Sequence, residues 1–390
     1  MIFSNRVDRL GGESAFEVLA QAKALEAQGK NIVHMEIGEP DFNTPENIVE
    51  AGIKAMRDGQ THYASSQGLL SLRETIADYA IRQKKRPTSP EEVVVVPGGK
   101  PMIFYTILAL VNAGDEVIFP DPGFPAYRSL VNYVGATPVP LPIREENDFR
   151  LDVDELAERI TAKTKLVILN SPANPTCGVL TPEDMARIAK LLSGKNIFVL
   201  TDEIYERMIY EGESCSLASF PEIRDYTVVL DGFSKTYAMT GWRLGYGIMN
   251  SKLAEKINTL MTNSNSCVAT FTQFAGIEAL TGPQNAVDEM MAHFRARRQI
   301  MVDGLNAIHG ITCKMPKGAF YAFPNITGTG MKSKALADYL LKDGGVAALA
   351  GDSFGDMGEG YLRLSYATST DNIRLALSRI EQALQNISGK

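Results

Sequence analysis

The stretch "KLVILNSPANPTCGVLTPEDMARIAKLLSGKNIFVLTDE", residues 165–203, holds an apolar run, a proline-flanked loop, a helical stretch and a second apolar run. Short β-branched runs bounded by turn residues, with a helix between them, read as parallel strands joined by a crossover. Parallel sheets are covered on both faces, so each strand reads as continuously apolar and not alternating. The pattern extends both ways: "EEVVVV", "DEVIFP" and "TPVPL" stand upstream and "YTVVL" downstream, with helical segments such as "PMIFYTILALVNAG" interposed. In "TPENIVEAGIKAMRDG" the spacing predicts a helix with Thr44 as N-cap and Pro45 in its first position. The fold class expected is α/β, a large domain with a mostly parallel sheet flanked by helices.

Past residue 282 the texture changes. A long helical stretch, "NAVDEMMAHFRARRQIMVDGLNAI", leads into short strands and a closing helix, which predicts a smaller α+β domain. The first forty residues hold one helix, "ESAFEVLAQAKALEAQ", too little for a domain, and are expected to dock beside the C-terminal part or a partner chain. The expected division is 1–43 as arm and part of the small domain, 44–285 as the large domain and 286–390 as the small one. A chain of 390 residues is ample for two domains, and 45% apolar with 22% charged residues is ordinary globular composition.

Net charge is −7, and the densest basic run, "RQKKRP" (82–87), follows an amphipathic segment, so it reads as a solvated helix end. Nucleic acid is not an expected partner. Four cysteines lie far apart without zinc or disulfide spacing, so no metal site is expected and a reducing cytoplasm fits. The amino terminus carries charge where a secretory signal needs an apolar run, and no apolar window is long enough to span a bilayer.

Several residues suggest chemistry. "VVVVPGGKPMIF" is a strand, a two-glycine turn and a helix start, where the backbone N–H groups of Gly98, Gly99 and Lys100 would attract an anion; a plain tight turn is the simpler alternative. Asp202 leaves the carboxyl end of a strand, where open α/β sheets bind ligands, although an isolated Asp there is more often a helix cap. Asn174 sits on the loop after a second strand, as a hydrogen-bonding or merely turn-forming residue. "DGFSKTYAMTGWRLGY" (231–246) adds Lys235, an amine able to form a Schiff base once desolvated, and Arg243 and Ser234, able to clamp a phosphate. "YLRLSYA" puts Tyr361, Arg363 and Ser365 on one strand face, and a half-buried guanidinium wants a carboxylate from protein or substrate.

In this order "SPANPTCG", "TDEIYE", "GFSKTYAMTGWRLGY" and "YLRLSYAT" resemble the class I/II aminotransferases, fold-type I enzymes that use pyridoxal 5′-phosphate (PLP); the likeness runs from "EIGEPDFNTP" (36–45) almost to the C-terminus. The resemblance implies a seven-stranded type of sheet, Lys235 as Schiff-base lysine and proton carrier, and Asp202 paired with the pyridine nitrogen. It also implies Tyr205 and Asn174 on the ring oxygen, Phe124 stacked on the ring, and Gly99, Lys100, Ser234 and Arg243 around the phosphate. Arg363 would take the substrate carboxylate, with Asn174 and the Gly38 backbone assisting. Tyr63 in "THYASSQG" matches a tyrosine that reaches the neighbouring subunit's phosphate, which implies a homodimer with shared sites.

Two positions depart from the family pattern. Cys177 stands where Asn-Pro-Thr is usually followed by glycine, so the turn is expected to shift, and Gly232 replaces a hydroxyl residue, so Ser234 is expected to compensate. The reaction expected is ping-pong transfer of an amino group between a 2-amino acid and a 2-oxo acid. Aspartate or glutamate is slightly favoured because Lys100 matches a lysine that binds a second carboxylate in aspartate-specific relatives. Phe16 and Glu17 near the entrance, and Tyr321 and Phe320 as an apolar wall, favour neutral donors such as alanine, branched-chain or aromatic amino acids. A PLP-dependent carbon–sulfur β-lyase is the alternative within the fold. A regulatory protein that borrowed the fold is a third class, but its known form carries a leading DNA-binding module that this sequence is not expected to have.

Overall fold

A computed structural model describes residues 3–12 and 14–388. Met1, Ile2 and Glu13, the last opening the predicted first helix, lie outside the described residues. The strands in chain order are β1 (Val33–His34), β2 (Val93–Val96), β3 (Glu116–Asp121), β4 (Thr137–Pro142), β5 (Thr164–Asn170), β6 (Phe198–Asp202) and β7 (Thr227–Gly232). They continue as β8 (Gly245–Ile248), β9 (Tyr321–Ala322), β10 (Val346–Ala347), β11 (Leu349–Ala350) and β12 (Leu362–Ser365). Seven form one sheet in the order β2-β8-β7-β6-β5-β3-β4, in which only β8 runs against the others.

The six predicted strands are all present, and the seventh, "GYGI", carries too little side chain to announce itself. Its glycines are there for packing: a Cβ on Gly245 would lie 2.8 Å from the backbone of Gly98, and one on Gly247 2.5 Å from Met102. The sheet is covered on both faces. Within β5, Leu166 and Ile168 enter one apolar cluster while Val167 and Leu169 enter another. Because six strands share a direction, Val96, Asp121, Asn170, Asp202 and Gly232 end at one edge, where ligands of open α/β sheets bind.

Beyond this sheet, β12 pairs antiparallel with β11 and β9. The long helices Asn285–Ala307 and Thr370–Ser388 pack on each other, and Phe294, Met301, Leu364 and Ile373 share a core with Met35. Residues 14–35 dock there: β1 pairs with β10, and Ala22 and Ile32 cluster with Leu341 and Ala347. The residues before them turn to the large sheet's side, Arg9 donating to the Tyr133 carbonyl at 3.0 Å and the Gly11 N–H to Ser129 Oγ at 2.9 Å.

Three local expectations are corrected. The helix Glu46–Arg57 has Pro45, not Thr44, at its N-cap; the Thr44 hydroxyl donates instead to the Ala238 carbonyl at 2.7 Å, a tertiary tie to the lysine loop. The basic run after residue 82 is not wholly solvated. Lys84 and Arg86 are fully buried: Lys84 Nζ lies 2.8 Å from Glu203 and 3.0 Å from Asp231 and also pairs with Glu206, and Arg86 grips both oxygens of Glu92. Finally, β12 is buried on both faces, so Leu362 and Leu364 are as enclosed as Arg363 and Ser365.

Candidate active site

The strand ends, the lysine loop and the segment after β1 enclose a cleft of about 560 Å³. Gly38, Gly99, Lys100, Phe124, Asn174, Asp202, Tyr205, Ser234, Lys235, Arg243 and Arg363 all line it. Residues separated by up to 325 positions, Gly38 to Arg363, are therefore brought together as the sequence motifs suggested.

The Lys235 ammonium donates to the Gly38 carbonyl at 2.5 Å. Burial pulls its pKa from 10.5 down to about 8, helped by the Arg363 and Arg243 cations and opposed by Glu39 and Asp202. A readily deprotonated amine is what attack on a carbonyl requires. Because the Gly38 carbonyl faces Lys235, only the N–H of that residue is left to meet a carboxylate.

Asp202 is buried, and loss of solvent pushes its carboxyl from 3.8 up to about 6, while the Tyr127 hydroxyl, donating at 2.8 Å, holds it down. Such a carboxyl favours a cationic partner. Tyr127 was not singled out by sequence, although it stands three residues from Phe124; a fully buried tyrosine whose hydroxyl reaches a strand-end Asp leaves no local pattern.

Arg363 is 4% exposed, and among the described residues it has no ion pair. It donates to Asn174 Oδ1 at 3.1 Å and to the Glu36 carbonyl, its guanidinium lies 4.4 Å from the centre of the Tyr321 ring, and its Nε has no partner. A buried cation satisfied only by neutral groups is poised for an incoming carboxylate. Asn174 is itself fixed, its N–H donating to Asn170 Oδ1 at 2.8 Å, and Asn170 is a further lining residue that the sequence reading missed.

At the other end, Gly99 and Lys100 open the helix Lys100–Leu110, and Ser234 and Arg243 line the same cleft, Arg243 beside the turn at Gly98. Gly98 plays a different part from the one expected. Its N–H donates to the Val96 carbonyl at 2.8 Å, so it is not an anion donor; its φ of +90° and lack of a side chain make room for Arg243, whose Nη2 would lie 2.2 Å from a Cβ there. Arg243 is oriented by the Thr240 carbonyl at 2.7 Å. Phe124 offers a ring wall, held edge-on by Tyr127 and topped by Lys100 Nζ at 5.4 Å.

Some expectations fall outside the cleft. Tyr63 is 90% exposed and does not line its own chain's cleft. Glu17 does not line the cleft; Phe16 and Glu39 do, the latter accepting from the Thr240 hydroxyl at 2.8 Å. Cys177 takes up a left-handed backbone, φ 61°, and donates its thiol to the Tyr321 carbonyl at 3.0 Å, with burial pushing the thiol up to about 12. Gly232 is tightly enclosed: a Cβ would meet Gly245 Cα at 3.1 Å and Leu244 O at 3.2 Å, so a hydroxyl residue would need the neighbouring backbone to give way slightly.

An amine at the floor, a buried carboxyl on one side, a helix start with an arginine at one end and a glycine gap beside it together fit a flat, anionic, carbonyl-bearing group. That donor set on this sheet defines a PLP-dependent fold-type I enzyme, and residues 30–380 match the family "aminotransferase class I and II", to which the chain belongs. It is similar to the aspartate aminotransferase of Pyrococcus horikoshii, 40% identical over 95% of this chain and 94% of the relative. Solved structures agree: the aspartate aminotransferase from Thermus thermophilus with maleate superposes with a TM-score of 0.94 at 34% identity, covering 98% of this chain and 100% of that one. The aromatic aminotransferase from Pyrococcus horikoshii superposes at 0.89 with 38% identity, covering 95% and 99%. The chain is an aminotransferase, and its cofactor is PLP, which accepts an amino group and serves as a sink for electrons released at the substrate Cα.

Proposed function

We propose that the enzyme takes nitrogen from aspartate-type and aromatic 2-amino acids and returns it to 2-oxo acids, in a ping-pong cycle. The observation that carries the reading is Arg363, a buried guanidinium without a protein carboxylate, opening on the cleft whose floor is Lys235. Arg363 and Asn174 hold the carboxylate next to Cα, and the Lys235 amine, once freed, moves the Cα proton. Asp202, kept in place by Tyr127, would keep the cofactor's pyridine nitrogen protonated. Tyr205 and Asn174 would donate to its ring oxygen, Phe124 would cover the ring, and Gly99, Lys100, Ser234 and Arg243 would hold its phosphate. Gly98 shapes that end without donating.

Aspartate as donor is supported by the names of the relatives and by Lys100 at the cleft, a cation suited to a second carboxylate. Aromatic donors are supported by Phe16 and Ile37 at the same cleft and by the aromatic aminotransferase neighbour. Further parts of the proposal are a division of the chain at residues 43 and 285, supported by a cluster drawn mostly from residues 33–35 and 290–384 that Cys177, Tyr205, Met208 and Tyr210 also join, and a cytoplasmic homodimer in which Tyr63 completes the neighbouring site. The exposure of Tyr63 supports that role. Among the described residues no helix is long and apolar enough to cross a membrane.

The test is titration of the purified holoenzyme with a panel of amino acids, followed by its visible spectrum. Bleaching by aspartate and by tyrosine or phenylalanine, with recovery on adding 2-oxoglutarate, is expected. Release of pyruvate and ammonia from a cysteine conjugate, without that bleaching, would move the enzyme to the β-lyases.

A further inference from the structure

Tyr321 lines the cleft between Arg363 and Tyr205. It opens β9, pairs with Ser365 of the strand that carries Arg363, and is 1% exposed. Its hydroxyl lies 2.7 Å from that of Tyr205, with the two rings edge to face at 80°. The same hydroxyl fills the space left by Gly38, where a Cβ would come within 2.1 Å of it, and the ring supports the Arg363 guanidinium. Phenylalanine would keep the same ring but lose the hydroxyl that both fills this space and reaches Tyr205.

Two phenols at this distance share one hydrogen, so one of them donates and the other keeps its own proton for a different acceptor. Burial pushes both phenols up and the Arg363 charge pulls both back; at 2.7 Å either hydroxyl can donate, and a Tyr205 hydrogen spent in the cleft leaves Tyr321 as the donor between them. A tyrosine that accepts a hydrogen bond becomes a stronger donor in turn. We propose that Tyr321 is a positioning residue for transamination: its hydroxyl donates to Tyr205 and frees and strengthens the Tyr205 hydroxyl as a donor into the cleft. This rests on the reading above, in which Tyr205 faces the cofactor's ring oxygen. A weaker donor leaves more electron density on that oxygen, which then holds the proton of the neighbouring Lys235–cofactor linkage more tightly.

The test uses the holoenzyme and three variants, Tyr321→Phe, Tyr205→Phe and the double substitution, each titrated by visible absorption against pH. Tyr321→Phe is expected to raise the midpoint of the spectral transition by about 0.5–1 pH unit, the size of one lost hydrogen bond. KM for amino acids should change less than about twofold, because the ring under Arg363 remains. Tyr205→Phe should raise the midpoint at least as far, and adding Tyr321→Phe to it should shift nothing more. An unchanged midpoint in Tyr321→Phe, or equal shifts that add in the double variant, overturns the inference while leaving the site intact. No shift in Tyr205→Phe overturns the Tyr205 assignment itself, and the inference with it. A Tyr321→Phe variant with native midpoint and tenfold higher KM would make the hydroxyl a substrate contact, which also overturns it. Should Tyr321→Phe fold poorly, the midpoint of Tyr321→His, which keeps a donor, must stay near native for the inference to stand.

Discussion

Lys235 is buried in a place where its charge is costly. Its pKa of about 8 means that, between there and the ordinary 10.5, the unfolded chain binds a proton that the folded apoprotein does not. Stability from this residue therefore rises as pH increases through that window. The same displacement sets reactivity: an aromatic aldehyde with borohydride trapping should label Lys235 of the apoprotein with a half-maximal rate near pH 8, located by peptide mass. Labelling that rises only above pH 10 would contradict the burial argument. Tyr127→Phe removes the hydroxyl that holds Asp202 down, so that carboxyl should move above its present value of about 6. Asp202 then pairs less well with a pyridinium. The apoprotein should bind PLP about tenfold more weakly, measured by fluorescence titration, with secondary structure unchanged.

At the scale of elements, the turn before the helix Lys100–Leu110 and the buried segment after Leu70–Gln83 are the sensitive points. Gly98→Ala would strain a backbone at φ +90° by roughly 1–2 kcal/mol and push away the Arg243 guanidinium. Its expected signature is a fall in PLP affinity of about tenfold or more, with free phosphate no longer competing well. Lys84 is the cation shared by Glu203, Glu206 and Asp231. Lys84→Met leaves those carboxylates buried and uncompensated, at a cost of about 3–5 kcal/mol in denaturant unfolding. Glu203 and Asp231 already titrate above their ordinary values because of burial, and losing the lysine raises them further. The folded variant then holds protons that the unfolded chain has lost, so its deficit should shrink as pH falls towards 4 and grow towards neutrality. A deficit independent of pH would rule out this origin.

At the scale of the whole molecule, Tyr63 is exposed and does not line the cleft of its own chain. If each site borrows it from a partner, Lys235→Ala and Tyr63→Ala chains, both inactive alone, should complement. Refolded together in equal amounts, half the dimers are mixed, and each mixed dimer has one site with every residue intact, so about a quarter of wild-type activity should return. Equilibrium sedimentation of the same mixture checks that dimers form. No recovery in a dimeric mixture would remove Tyr63 from catalysis.

The sequence by itself determined the alternation that makes a parallel sheet, because fully buried strands are written as uninterrupted apolar runs. It also determined most of the site, since Lys235, Asp202, Asn174 and Arg363 sit in local motifs whose order survives folding. Tertiary structure alone decided what depends on distant partners. The strand β8 is hidden because glycine there makes room for Gly98 and Met102. Lys84 and Arg86 read as solvated charge until folding sets carboxylates from residues 92, 203, 206 and 231 around them. Tyr127, Asn170 and Tyr321 act through hydroxyl and amide groups whose partners lie up to 116 positions away, as Tyr205 does from Tyr321, and a hydrogen bond of that span leaves no trace in residue spacing.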